Sequence, residues 1–259
     1  MMRENTFVRL LKNLLFPPKC VACREFIQKD LLDKCEIPLC EKCRAKWERE
    51  KLDRCPDCEL EMTVCNCGSR MLDKVGVPDT VKLVNYSVRH KSVGKSAVLY
   101  MKKHKNSAAF DFFATQLSFA VSRKIKEYGD AVITYVPRSE KSVSEYGFDQ
   151  SKMLADRLAD KCGVECLNLF SRTLRKSVEQ KKLSFSDRFG NAKGLYELDE
   201  RVTSRLEGIK CVVIVDDVIT SGASLSACVE TLKSVFDGEI VCAAVARTGK
   251  KRKNGKKSD

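Results

Sequence analysis

Residues 212–224 read VVIVDDVITSGAS. Four apolar residues, all β-branched valine or isoleucine in an unbroken run, form a strand buried on both faces, as in a parallel sheet. The run ends in Asp216-Asp217, and a turn of small residues, Thr220-Ser221-Gly222-Ala223-Ser224, then opens a helix predicted over 222–236. Adjacent carboxylates at the end of an apolar strand are costly unless cations or hydroxyls meet them. Small residues let backbone N–H groups approach a phosphate, and the positive end of the helix macrodipole favours it. The segment therefore predicts a strand–loop–helix anion site with two acids at its mouth.

Working outward, the same alternation continues. AVITYV (131–136) is a strand closed by Pro137, 149–161 a helix, 164–170 a strand, 209–215 the strand of the acidic pair, and 239–246 (EIVCAAVA) a last strand. Before them come a strand at 81–88 and helices at 92–104 and 107–128, the second capped by Asn106 and ended by Gly129. Strands alternating with helices predict an α/β domain built on a parallel sheet over residues 76–246. Residues 171–194 are polar, basic and without period, which predicts a long loop. Gly94-Lys95-Ser96 looks like the end of a P-loop, but the upstream glycine would fall at Arg89. No internal repeat is visible.

The amino-terminal part has another chemistry. Nine of the fourteen cysteines lie between Cys20 and Cys67; the other five (Cys162, Cys166, Cys211, Cys228, Cys242) sit in apolar segments and read as small core residues. Cys20/Cys23, Cys40/Cys43 and Cys55/Cys58 are CxxC knuckles, and Cys65/Cys67 a tighter pair. Eight thiolates make two tetrahedral sites, and structural zinc is the expected ion. The spacing leaves open which pairs share an ion, and whether Cys35 replaces a member of the last pair. A segment this short has too little core to fold unaided, so residues 1–75 are predicted to form an amino-terminal helix, from the apolar stripe at 6–16, and a double zinc-ribbon module. Trp47, the single tryptophan, is expected to pack over the module's own small core.

Forty-eight Lys and Arg against 35 Asp and Glu give +13. Such a charge points to phosphates, carried by a nucleic acid or by a small molecule. The module holds 15 basic and 13 acidic groups, and eight thiolates with two zinc ions would turn it slightly negative. Residues 247–259 hold seven basic groups and one acid and read as a solvated basic tail. No run approaches the length of a membrane span. Arg3, Glu4, Arg9 and Lys12 spoil a secretory signal, so a cytoplasmic protein is expected.

The thirteen residues at 212–224 resemble the 5-phosphoribosyl-1-pyrophosphate (PRPP) motif of type I phosphoribosyltransferases. The resemblance implies that Asp216 and Asp217 hold the ribose hydroxyls, directly or through Mg2+, and that Thr220, Ser221, Gly222, Ala223 and Ser224 hold the 5′-phosphate. A cysteine module followed by such a domain is similar to the ComF family, which is linked to competence and DNA uptake. The similar elements are Val136-Pro137, then Tyr146-Gly147-Phe148-Asp149-Gln150, then Arg172, Arg175, Gln180, Arg188, Asn191, Gly194 and Tyr196. Tyr146 stands where the family has Arg and Asp149 where it has Asn. Both make that element less positive and leave Arg138 and Lys141, in a loop at 137–145, to meet the pyrophosphate. The resemblance further implies a flexible loop closing over the site, with Arg175, Gln180, Lys181, Lys182 and Arg188 on it and Lys181, Lys182 and Arg188 as candidates to meet the leaving-group charge. It implies two alternatives for function: phosphoribosyl transfer to an amine or base, or a competence factor without turnover that binds single-stranded DNA and a partner helicase.

Overall fold

A computed structural model describes residues 11, 14–27, 37–77, 79–86, 92–173 and 194–248. Its centre is a five-stranded sheet in the order β1-β7-β6-β2-β3, in which every neighbouring pair is parallel. The strands are β1 (Asp79–Asn85), β2 (Ala131–Tyr135), β3 (Glu165–Cys166), β6 (Cys211–Ile219) and β7 (Glu239–Arg247). A separate antiparallel pair joins β4 (Phe170–Arg172) to β5 (Tyr196–Leu198). The expected α/β class with an amino-terminal cysteine-rich part is what the chain forms.

Both faces of the sheet are covered. Val213, Val215, Val241 and Ala243 face a core shared with helices α3 (Val93–Lys103), α4 (Ser107–Tyr128) and α6 (Gln150–Cys162). Val212, Ile214, Ile240, Cys242 and Ala244 alternate with them and face α8 (Ala223–Leu232), short α2 (Arg70–Lys74) and the β4–β5 pair. Asn106 caps α4, accepting from the Ala109 N–H at 3.0 Å, and Gly129 ends it, as its sequence predicts. Gly94 has a packing role: a Cβ there would come within 2.7 Å of Val84 Cγ2, so this glycine serves the close approach of α3 to β1.

Several elements differ from the sequence reading. β6 runs on through Asp216, Asp217 and Val218 to Ile219, because Asp216, Val218 and Ile219 remain paired with Ala244, Ala246 and Arg247 of β7. The 164–170 strand is split; Leu167 and Leu169 between β3 and β4 turn into the second core face. Residues 140–146 are a helix, α5 (Glu140–Tyr146), where a loop was expected; Ser139 caps it and Gly147 ends it. The short α7 (Glu200–Thr203) and the 3-10 turn after it were not expected, and α8 is shorter than its periodicity suggests. β1 opens at Asp79, two residues before the strand expected at 81–88, and Lys124 meets the Asp79 carboxylate at 2.8 Å. The 6–16 stripe lies mostly outside the described residues, as does Cys35.

A repeat, unseen in the sequence, is present in the backbone. An antiparallel bridge joins Lys19 to Phe26, and an equivalent one joins Arg54 to Glu61, 35 positions on. Arg24 and Glu59, at matching positions, are the described non-glycine residues with positive φ, at 71° and 62°. The Cys20/Cys23 and Cys55/Cys58 knuckles are thus two copies of one turn, whereas Cys40 and Cys43 lie at the start of the helix Glu41–Lys51. Beyond a basic residue and the Cys-x-x-Cys, the sequence of the turn does not repeat, which hides it.

The cysteine-rich part is docked on the α/β core. Trp47 of α1 (Glu41–Lys51) is fully buried; it shares a core with Cys20, Val21, Leu39 and Cys43 of the module, and that core continues into Phe112 and Phe113 of α4, with ring centroids 5.6 and 5.5 Å away. Glu50 of the same helix accepts from the first N–H groups of α3, Val93 at 2.7 Å and Gly94 at 2.8 Å. That carboxylate satisfies two of the donors every helix start leaves open. No helix among the described residues is long and apolar enough to cross a membrane.

Candidate functional site

Parallel strands bring their carboxyl ends to one edge, and the acidic pair lies there. Asp217 is 2% exposed and forms ion pairs with Arg138, from the segment after β2, and with Lys102 Nζ at 3.4 Å, from the end of α3. Asp216 accepts from Ser151 Oγ of α6 at 3.1 Å and from the Asp217 N–H at 2.8 Å; Arg138 stands 4.0 Å away. These partners answer the cost of two carboxylates at the strand end. Burial, with the neighbouring Asp217 charge adding to it, pushes the Asp216 carboxyl up to about 7; Arg138 pulls the other way.

That shift sets a pH dependence. An acid with a raised folded pKa holds its proton more tightly in the folded state, so stability falls as pH rises from the ordinary carboxylate range towards 7. A melting series from pH 4 to 8 is expected to show this decline, and Asp216→Asn to flatten it. An unchanged slope in the variant would place the titrating group elsewhere.

Beyond β6, Gly222 is the N-cap of α8 with φ +80°, and a Cβ there would lie 2.0 Å from Ser69 Oγ. The loop needs glycine on both counts. No side-chain cap bond comes from this N-cap residue. Thr220 is exposed and Ser221, Ala223 and Ser224 are part-exposed. Thr248 Oγ1, after β7, donates to the Thr220 carbonyl at 3.0 Å. Tyr196 is raised to about 12 chiefly by burial, while a hydrogen bond with the Ser224 side chain works against the shift.

The structure thus brings Asp216, Asp217, Arg138 and the 220–224 loop to one edge. Lys141 is not joined to the acidic pair by any described contact; it sits exposed on α5. Arg175, Gln180, Lys181, Lys182, Arg188 and Asn191 lie outside the described residues. Asp149 caps α6 through the Lys152 N–H at 3.0 Å and accepts from the Arg138 N–H at 2.8 Å. An Asp there performs the capping an Asn would, and it also fixes the segment carrying Arg138. Lys102 and Ser151 were missed. Lys102 lies in a basic run, MKKHK, in which nothing local separates it from its neighbours.

The eight cysteines form two groups, Cys20/Cys23/Cys40/Cys43 and Cys55/Cys58/Cys65/Cys67, each with its sulfurs within 4.8 Å of one another. Pairing is sequential, which the spacing left open. Cys23 and Cys40 Sγ are 3.6 Å apart and Cys58 and Cys65 Sγ 3.3 Å. A tetrahedral zinc with Zn–S bonds of about 2.3 Å sets its sulfurs about 3.8 Å apart. Burial opposes ionisation of Cys20 and Cys55, but backbone N–H groups bring both down to about 7; the donors are Cys23, Cys40 and Ala22 for the first, Asp57 and Cys58 for the second. Preformed donors to the sulfurs are what a thiolate metal site requires. Both groups could hold zinc.

No family model matches the chain, and no curated protein matches it. Among solved structures, it is similar to the purine phosphoribosyltransferase from Pyrococcus horikoshii Ot3, at 19% identity over 53% of this chain and 83% of that one, with a TM-score of 0.30.

Proposed function

We propose that this chain binds PRPP with Mg2+ and belongs to the phosphoribosyltransferase type, with a ComF-like arrangement in which two zinc ions stabilise the amino-terminal module. The observation that carries the reading is the juxtaposition of two carboxylates with a glycine-started helix at the carboxyl edge of a parallel sheet. Backbone N–H groups at 220–224 suit a 5′-phosphate dianion. Asp216 and Asp217 suit the ribose hydroxyls, which donate to carboxylates. Arg138 and Lys102 put two cations beside them, where a pyrophosphate would be met.

Hard oxygen ligands of this kind suit Mg2+, which supplies charge neutralisation of the leaving pyrophosphate when bound. The reaction class is displacement at ribose C1: pyrophosphate leaves, an amine nitrogen attacks, and positive charge develops on the ribose. The chain's part is electrostatic; its anions lie where that charge grows and its cations where the leaving charge collects. The acceptor is an amine or base. Calorimetric titration with PRPP, with and without Mg2+, tests the reading. Saturable binding that strengthens with Mg2+ is expected, and absence of binding under both conditions overturns it.

A second reading, a competence factor that contacts single-stranded DNA and a helicase, is favoured by the charge of the carboxyl-terminal segment. Arg247 belongs to β7, but residues 249–259 still hold six basic groups against one acid. Deleting 250–259 is expected to weaken single-strand binding and flatten its salt dependence, since each lysine–phosphate contact releases counterions. Equal binding at equal salt by the truncated chain would remove this reading's support.

A further inference from the structure

Two cations are buried beneath the second cysteine group. Lys82, on β1, is 1% exposed, and Arg247, at the end of β7, is 2% exposed. The Lys82 ammonium donates to Cys65 Sγ at 3.1 Å, to the Cys67 carbonyl at 2.8 Å, to the Thr80 carbonyl at 3.3 Å and to the Cys65 carbonyl. Of these acceptors only the sulfur can carry a charge. Arg247 donates to the Cys67 carbonyl at 3.0 Å, reaches Cys55 Sγ at 3.8 Å and pairs with Asp57 inside the Cys55–Cys58 knuckle.

A buried ammonium needs an anion beside it. Four thiolates on one divalent zinc leave two negative charges, and Lys82 and Arg247 stand where those charges sit. The first group is built otherwise. Among the described residues no lysine or arginine hydrogen-bonds its sulfurs. Burial does not separate the groups, since each has two buried cysteines and one exposed.

We propose that Lys82 and Arg247 are positioning residues for the second metal, holding its thiolates in the charged, metal-bearing form and tying that metal to the sheet by charge. This rests on the zinc reading given above. The first group meets the core by packing, with Cys20 and Cys43 in one buried cluster with Trp47; the second meets it through these two cations. From Cys67 the chain passes through Gly68 to Ser69, which lies against Gly222, and Arg247 is followed by Thr248, whose N–H donates to the Ile219 carbonyl at 2.9 Å. Loss of the second metal would leave Lys82 buried without its anion and Arg247 with Asp57 alone, at the edge that also carries the loop after β6.

The test uses the full-length protein as purified. Metal analysis is expected to give about two zinc ions per chain. A chain without metal would overturn the zinc reading and this inference together. Pulsed alkylation with N-ethylmaleimide under chelator, read cysteine by cysteine by mass spectrometry, then ranks the two groups. The second group is expected to label at least about tenfold more slowly than the first, the scale on which groups bonded to ligands tune metal sites. Lys82→Met should abolish the difference, and Lys82→Arg should keep it. Equal labelling of both groups in the wild type, or slow labelling retained in Lys82→Met, would overturn the inference while leaving the zinc reading intact. Should Lys82→Met fail to fold, the wild-type ratio and its retention in Lys82→Arg decide.

Discussion

Replacing Asp216 and Asp217 together by Asn is expected to weaken Mg2+-dependent PRPP binding by about a hundredfold or more. Each carboxylate offers a hydroxyl or a metal a charged acceptor, and such a hydrogen bond is worth roughly 1.5–3 kcal/mol. Two of them amount to at least two decades at about 1.4 kcal/mol per decade. The single variants should differ. Asp217 carries the ion pairs with Arg138 and Lys102, so Asp217→Asn also frees two cations and is expected to lower the melting temperature. Asp216 is already pushed up to about 7, so near neutral pH Asp216→Asn removes less charge. Calorimetry on the wild type and the three variants measures the binding, and circular dichroism confirms that each remains folded. Equal affinity in wild type and double variant would show that the acidic pair is not the PRPP contact.

The second large effect is expected at Gly222. An alanine there must adopt the left-handed conformation, at about 1–2 kcal/mol, and its Cβ would lie 2.0 Å from Ser69 Oγ. Ser69 can turn away, but its oxygen accepts from the Leu72 N–H and caps α2; losing a cap costs about 1 kcal/mol. The total of about 2–3 kcal/mol corresponds to a melting-temperature loss of about 5–10 °C for a chain of this size. Ser69→Gly in the same chain should recover the collision but not the backbone strain, so the double variant is expected to melt between wild type and Gly222→Ala. A Gly222→Ala protein as stable as wild type would show that the loop relaxes freely.

The acidic segment was legible because an apolar strand, two acids and a run of small residues each carry a local signal. The sheet followed from apolar runs of strand length. Helix α5 was not legible: it buries no residue and so has no apolar period. The continuation of β6 through its two acids was hidden because its partners, Arg138, Lys102 and Ser151, come from three other segments. Cysteine spacing revealed eight candidate ligands, but their grouping is a matter of distance in space, and distance is absent from spacing. A lysine in the apolar run VKLV was a usable signal for Lys82, since charge inside a buried strand demands a partner; Arg247 was lost by being counted with the tail.

Trp47 offers a use of its own. It is the single tryptophan of the chain, it lies at the seam between the cysteine-rich part and α4, and its indole is sealed against two phenylalanines. Its emission should therefore be short in wavelength and should report that seam alone. The edge that carries Asp216 and Asp217 contributes tyrosines but no indole, so a ligand bound there and release of the module would have separable optical signatures. Excitation of tryptophan during chelation would time the parting of the two halves directly, with no label introduced.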